Sequence, residues 1–364
     1  MSVNESSFMR STVKYLGGVL MNGKSRVVLI TAPFETQWLE RLQRLAPDLQ
    51  IVHYPTGSIA SIPDDVWREV VILYTSYATP LPSPEQAQSL RWVQLYSAGA
   101  DTIVNHRLFQ TSVIFTSASG VHSVNMAEYV FTVILAWFQR LPLMLERQRQ
   151  RNWPSNLERQ SLFVTEELRG KTICIVGYGS IGRQVAQLAG AFGMRVLAMH
   201  RRTDHDHRDF GFQLPGVGDP EGILAFRYYT PDQLHSMLIE GDIVVITVPL
   251  TSETREMFDE AAFQAMKPSA FLVNIARGEV CNELALVRAL EEERIAGAAL
   301  DVFQQEPLPP DNPLWGFRNV FISPHSAGLT PEYDSRAATI FEENLRRYLV
   351  GEPLYNLIEK TRGY

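Results

Sequence analysis

A short apolar run, Thr172–Val176 (TICIV), leads directly into Gly177-Tyr178-Gly179-Ser180-Ile181-Gly182. The residues after it place Ile181, Val185, Leu188 and Phe192 at helical spacing. A Gly-x-Gly-x-x-Gly string means little alone, but between a strand and an amphipathic helix it is restrictive. Gly177 allows the tight turn, Gly179 lets the backbone approach a pyrophosphate, and Gly182 lets the helix pack closely on the strand. The start of the helix favours the phosphate charge. The string therefore predicts a dinucleotide-binding turn in a parallel α/β sheet. A tight strand–helix turn with no ligand is the plainer alternative.

The rest of the chain alternates in the same manner. From Lys171 the strand candidates are TICIVG, RVLAMH, DIVVITVP, AFLVNIA, IAGAALDV and NVFISPH, with amphipathic helices between them and no hairpin signals. Six such strands argue for a doubly wound sheet with right-handed crossovers. An earlier set (RVVLI, LQIVHY, VVILYT, WVQLYSAGA and VIFTSAS) occupies Arg26 to about Val121, with a helical stretch at Gln37–Leu45. A chain of 364 residues exceeds what one core usually supports. The expected fold class is therefore α/β, with two Rossmann-like domains of doubly wound parallel sheet. Two long helices, Ala127–Arg140 and Arg336–Val350, are expected to join them. The dinucleotide-binding domain is placed at 123–327, and a substrate-binding domain, discontinuous in sequence, at 1–122 and 328–364. Residues 1–25 lack periodicity and read as a flexible extension, or as an overlong start with Met21 the initiator. Arg147–Arg159 is basic without an apolar face and reads as an arm or exposed linker. The 28 residues between His200 and Tyr229 are rich in glycine and proline. Loops of that length are usually functional or mobile.

Charge and cysteine content narrow the function. With 33 basic and 40 acidic residues the net charge is −7, and no domain-wide basic surface exists to bind nucleic acid. The two cysteines, Cys174 and Cys281, lie in apolar runs, which excludes a disulfide framework and favours a reducing compartment. They read as small buried residues, not nucleophiles. The longest apolar stretch, Tyr129–Phe138, falls short of the ~20 residues of a membrane span. The reading is a cytoplasmic protein with neither a nucleic-acid nor a membrane partner.

The strand after the glycine-rich turn ends at His200, 18 residues beyond Gly182, and continues Arg201-Arg202-Thr203. NAD-specific folds place a carboxylate near this point to hold the ribose 2′-hydroxyl. None is present, and two guanidiniums suit a 2′-phosphate. NADP(H) is therefore expected over NAD(H), a pair of solvated arginines being the alternative.

Three later segments complete the pattern: NIARGEV (Asn274–Val280), ALDVFQQEPLP (Ala299–Pro309) and SPHSAG (Ser323–Gly328). Together with GYGSIG and with SAGA at Ser97–Ala100, they resemble the D-isomer-specific 2-hydroxyacid dehydrogenase family over nearly everything from Arg26 to Tyr355. The resemblance implies Arg277, Glu306 and His325 as a catalytic trio, and their separations of 29 and 19 residues fit successive strand–helix units. Imidazole titrates near neutral pH and suits proton delivery to a carbonyl oxygen. A carboxylate beside it orients the ring and favours its cation. A guanidinium matches the substrate carboxylate and polarises the C2 carbonyl.

The resemblance further implies that backbone amides around Ser97, Ala98 and Gly99 grip the substrate carboxylate alongside Arg277, with His325 at the C2 carbonyl. Ser180 and Ile181 would meet the pyrophosphate, and Val248 and Pro249 would pack near the adenosine ribose, where the reading of the strand end already places His200, Arg201 and Arg202. Asp301 would accept from the nicotinamide carboxamide, with Ile275 and Gly328 close by. The implied activity is hydride transfer between NAD(P)H and C2 of a small 2-oxo acid (glyoxylate, hydroxypyruvate or a bulkier one), giving a D-2-hydroxy acid, in a homodimer. A dinucleotide-sensing protein of the corepressor type shares the trio, but no long low-complexity tail for partner docking is present here. A formate dehydrogenase is disfavoured because that branch pairs its histidine with glutamine. Gly99-Ala100-Asp101 departs mildly from the family's glycine-valine-aspartate. His205-Asp206-His207 reads as solvated loop, so no metal is expected. Trp153 could reach a neighbouring subunit's pocket or simply pack within the arm.

Overall fold

The computed structural model describes residues 26–54, 62–76, 81–100, 103–201 and 207–361. The expected N-terminal extension with Met21, and Asp101, Arg202, Thr203, His205 and Asp206, lie outside the described residues. The chain forms two compact units: one runs to Val121 and resumes at Pro331, and the other is His122–Thr330.

The first unit holds strands β1 (Val27–Ile30), β2 (Gln50–His53), β3 (Val70–Thr75), β4 (Trp92–Leu95) and β5 (Ile114–Thr116) with helices α1 (Thr36–Leu45) and α2 (Asp64–Glu69). Its sheet order is β2-β1-β3-β4-β5 and every pairing is parallel. β1, β3 and β4 are buried along their whole length, as parallel strands covered on both faces must be. The C-terminal helix Tyr333–Val350 closes one face, with Phe341 and Leu345 packed among Val28, Ile30, Tyr74 and Trp92.

The second unit opens with α3 (Ser123–Phe138), which buries Ala127, Val130 and Ile134, and then α4 (Leu141–Arg149) and α5 (Asn156–Leu162). Its sheet contains β6 (Thr172–Val176), β7 (Arg195–Met199), β8 (Arg227–Tyr229), β9 (Ile243–Ile246), β10 (Phe271–Asn274), β11 (Gly297–Leu300) and β12 (Val320–Ile322). Helices α6 (Ser180–Ala191), α7 (Leu234–Leu238), α8 (Glu260–Ala265) and α9 (Glu283–Glu291) lie between the strands in sequence. The order β12-β11-β10-β9-β6-β7-β8 is all parallel. The chain runs outward from β6 to β8, returns to place β9 beside β6, and runs outward again. The reversal between β6 and β9 is the switch point where ligands bind in doubly wound sheets.

Two features differ from the sequence reading. The sheet has seven strands where six were expected, because the long segment after His200 ends in β8, a three-residue edge strand too short for periodicity to reveal. The exposed arm carries helical ends the sequence did not announce: Arg147–Arg159 spans the end of α4 and the start of α5, neither helix with a buried residue. Ser155 and Glu158 cap α5 reciprocally: Ser155 Oγ accepts from the Glu158 N–H at 3.2 Å and Glu158 Oε2 from the Ser155 N–H at 2.9 Å. Among the described residues, no helix is long and apolar enough to cross a membrane, and no cluster of His, Cys, Asp or Glu could hold a metal.

Candidate active site

The glycine-rich turn sits at the end of β6, at the switch point. Gly177 has φ +109°, and a Cβ there would lie 2.8 Å from the Val248 nitrogen, so the ends of β6 and β9 approach too closely for a side chain. A Cβ on Gly182 would fall 2.2 Å from the Gly177 oxygen. Gly179 is exposed, with nothing within 4 Å of the equivalent position. Two of the glycines thus serve packing, and the third leaves backbone bare where α6 begins. This is the cradle a pyrophosphate needs, and a nicotinamide dinucleotide fits these residues. Ser180 and Ile181, half-buried, form the first turn of α6. His200 is half-buried, its N–H bonded to the Tyr229 carbonyl at 2.9 Å, and Arg201 is exposed beyond it. Val248 is buried, and the Pro249 carbonyl accepts from Thr254 Oγ1 at 2.6 Å.

Three loops at the C-terminal ends of β10, β11 and β12 carry Arg277, Glu306 and His325. His325 Nδ1 lies 2.8 Å from Glu306 Oε2, and Glu306 Oε1 accepts from the Phe303 N–H at 3.0 Å. Both side chains are partly exposed, the imidazole about half. Half-buried Arg277 donates to the Ala276 carbonyl from Nη1 at 2.8 Å. Its loop is pressed against the next: a Cβ on Gly278 would lie 1.9 Å from the Phe303 carbonyl carbon. Gln304 Nε2 adds a bond to the Cys281 carbonyl at 2.9 Å. At the end of β10, Asn274 accepts from the Ala276 N–H at 3.0 Å and donates to the Arg277 carbonyl at 3.2 Å.

His325 itself has φ +50°, a left-handed conformation uncommon outside glycine. Asp301 over-determines it. This aspartate is 1% exposed, and its carbonyl accepts from the His325 N–H at 2.9 Å. Its Oδ1 accepts from Ser323 Oγ at 2.5 Å and the Ser326 N–H at 2.8 Å, and its Oδ2 from the Ala327 N–H at 3.0 Å. Tyr129 of α3 reaches Ser323 Oγ at 2.6 Å. Ile275 is buried beside this layer, and the Gly328 carbonyl lies 3.0 Å from His122 Nδ1. The sequence reading missed Asn274, Ser323 and Tyr129. The first two lie inside the motifs NIARGEV and SPHSAG, but their bracing role depends on which loops meet. In the first unit, Ser97, Ala98 and Gly99 follow β4, and Ser97 Oγ donates to the Gly99 carbonyl at 2.8 Å.

The profile of the D-isomer specific 2-hydroxyacid dehydrogenase NAD binding domain matches residues 131–327. The chain is also 36% identical over 278 residues to the glyoxylate reductase of Korarchaeum cryptofilum (strain OPF8), covering 76% of this chain and 78% of that protein. It belongs to the D-isomer-specific 2-hydroxyacid dehydrogenase family. Two solved structures agree. One is a family member from Aeromonas salmonicida (TM-score 0.73, 32% identity, covering 93% of this chain and all of that one). The other, from Xanthobacter autotrophicus Py2, was solved with NADPH and MES (TM-score 0.74, 28% identity, 94% and all). This dehydrogenase is accordingly an oxidoreductase that uses a nicotinamide dinucleotide to interconvert 2-oxo and 2-hydroxy acids.

Proposed function

We propose that the physiological substrate is a small 2-oxo acid of the glyoxylate or hydroxypyruvate kind, or a bulkier one, reduced to the D-2-hydroxy acid. The single observation that carries this reading is the His325–Glu306 pair beside the braced Arg277 loop. The bound dinucleotide supplies the hydride. The Glu306 carboxylate accepts a hydrogen bond from Nδ1–H, which turns Nε2–H of the imidazolium towards the carbonyl oxygen at C2 to deliver its proton there. The negative charge of Glu306 supports the cation until that transfer. Arg277 holds the substrate carboxylate and polarises the C2 carbonyl. Ser97, Ala98 and Gly99 are proposed as further carboxylate contacts. Their support is the family motif and their place at the end of a parallel strand, where ligands of doubly wound sheets bind.

The glycine-rich turn, with Ser180 and Ile181, is proposed to take the pyrophosphate, and Val248 and Pro249 the adenosine side. Asp301, Ile275 and Gly328 take the nicotinamide side; the Asp301 carboxylate retains an acceptor position on Oδ2 for a carboxamide. NADP(H) is favoured over NAD(H) because Arg201 stands exposed beyond the end of β7 with no carboxylate at His200. The NADPH carried by the Xanthobacter relative is consistent with this choice. A cytoplasmic homodimer is proposed on the exposed arm, where Met144, Leu145 and Leu157 face solvent and Trp153 is 85% exposed. Trp153 is then available to a neighbouring subunit's pocket.

The deciding experiment is initial-rate oxidation of NADPH and NADH against glyoxylate, hydroxypyruvate, phenylpyruvate and 2-oxoisocaproate. Turnover of the two smallest acids with NADPH is the expected result. Absence of turnover across the panel, with dinucleotide binding detected by fluorescence, would overturn the substrate assignment.

A further inference from the structure

The segment that follows β7 is docked on the glycine-rich turn by a set of buried polar contacts that the reaction itself does not use. Tyr178, the residue between Gly177 and Gly179, is 2% exposed and donates from its hydroxyl to Asp219 Oδ2 at 2.7 Å. Asp219 is 3% exposed and also accepts from the Ile223 and Leu224 N–H groups, each at 3.0 Å. Arg183, one residue past Gly182, is buried too and donates to the Asp219 and His207 carbonyls, both at 2.6 Å. Its guanidinium lies 4.8 Å from the Tyr178 ring centre and its Nε 3.5 Å from Asp209 Oδ2. Gln184 Oε1 accepts from the Gly218 N–H at 2.6 Å. Tyr228 completes the stack, edge-on to Tyr178 at 5.4 Å and face-on to His207 at 3.6 Å.

A loop whose backbone must meet a pyrophosphate loses affinity if it has to be ordered at the moment of binding. Flanked by two glycines, the backbone at Tyr178 has little stiffness of its own. We propose that residues 207–226 serve to pre-order the glycine-rich turn, with Tyr178 and Asp219 as positioning residues for the dinucleotide pyrophosphate. The inference rests on the assignment of that turn to the dinucleotide. It makes residues 207–226 a fixed buttress of the cofactor site, in contrast to a mobile cover. Burial, followed by the hydrogen bond donated to the Asp219 carboxylate and that carboxylate's charge, pushes the Tyr178 phenol well above its usual range, so this donor keeps its proton throughout the working pH range.

The test is Tyr178→Phe, which keeps the ring and deletes the hydroxyl, alongside Asp219→Asn and the double variant. Binding of NADPH and of 2′-phospho-ADP-ribose to the purified chain is followed by fluorescence and calorimetry. The expected result for Tyr178→Phe is about three- to tenfold weaker binding of both, from loss of one buried hydrogen bond. KM for NADPH should rise by the same factor, and amide exchange at residues 177–182 should quicken. If the two residues act through one contact, the double variant binds no worse than Asp219→Asn alone. A lower melting temperature with unchanged dinucleotide affinity would overturn the proposal, and so would additive losses. Failure of the wild-type chain itself to bind NADPH would overturn both the assignment of the turn and this inference. Binding by the wild type equal to that of Tyr178→Phe would remove only the inference.

Discussion

His325 occupies a left-handed backbone conformation that a non-glycine residue adopts at a cost of the order of 1 kcal/mol or more. The structure holds it there through the Asp301 carbonyl and the amides on either side of the Asp301 carboxylate. Such over-determination suits the proton-donor role proposed for His325, because proton transfer needs the donor within hydrogen-bond reach. His325→Asn is expected to lower kcat by about 10²–10⁴-fold with NADPH affinity unchanged; steady-state rates and fluorescence titration check this. Arg277→Ala should raise KM for the oxo acid and lower kcat, together about 10²–10³-fold in kcat/KM, whereas a loss in kcat alone would exclude a carboxylate contact. Arg201→Asp should move the kcat/KM ratio towards NADH by at least about tenfold, since it exchanges a cation for the carboxylate that NAD-specific folds place near the ribose.

At the level of elements, close packing at the switch point sets what the turn tolerates. Gly182→Ala drives a methyl into the Gly177 carbonyl and should cost about 1–3 kcal/mol in thermal unfolding. Gly190, near the end of the same helix, has open space around it, so Gly190→Ala should instead stabilise by about 0.5–1 kcal/mol. A second joint ties β6 to β9: Asp242 accepts from the Thr172 N–H at 2.8 Å and from Lys267 Nζ at 2.7 Å. Burial alone would raise the Asp242 pKa, but Lys267 and the Thr172 N–H outweigh it and hold the carboxyl below its ordinary value. With the folded value depressed, this contribution is present above the ordinary aspartate range and is lost as pH falls through the folded value. Asp242→Asn should therefore cost about 1–2 kcal/mol at pH 7, and a denaturation series should show the difference vanishing in strong acid.

At the scale of the whole molecule, the described residues form two parallel sheets, of five and seven strands, each with its own core. Cys174 and Cys281 are both interior to the second unit, and burial pushes each thiol up to about 12. A thiol reagent at pH 8 should therefore label neither in the native protein and both after denaturation, since the thiolate is the reactive form. Rapid native labelling would show that the second core opens locally. The arm formed by α4 and α5 has no fully buried residue and exposes Leu145 and Leu157. Sedimentation should accordingly give a dimer that Leu145→Glu together with Leu157→Glu converts to monomer.

Features that depend on residue type and local spacing were legible along the chain. Apolar runs bounded by turns located nearly all the strands, because a buried parallel strand must be apolar on both faces and reads as a continuous run. The glycine positions could be read because only glycine satisfies a tight turn beside a close backbone approach. Arg277, Glu306 and His325 stood out because their motifs carry a combination of chemistries with few other uses, and the structure brings His325 and Glu306 within 2.8 Å; the roles of all three are the proposal made above. Tertiary structure decided everything that depends on which loops meet. Asp301 brackets His325, Gly278 fits under Phe303, and Tyr178 reaches Asp219 across 41 positions of sequence. An aspartate or tyrosine in a loop carries no sign of its partner, since a hydrogen bond needs two groups within about 3 Å and chain spacing fixes that distance only within one element. For the same reason β8 was missed: three residues cannot show a period, and its edge position follows only from the docked segment before it.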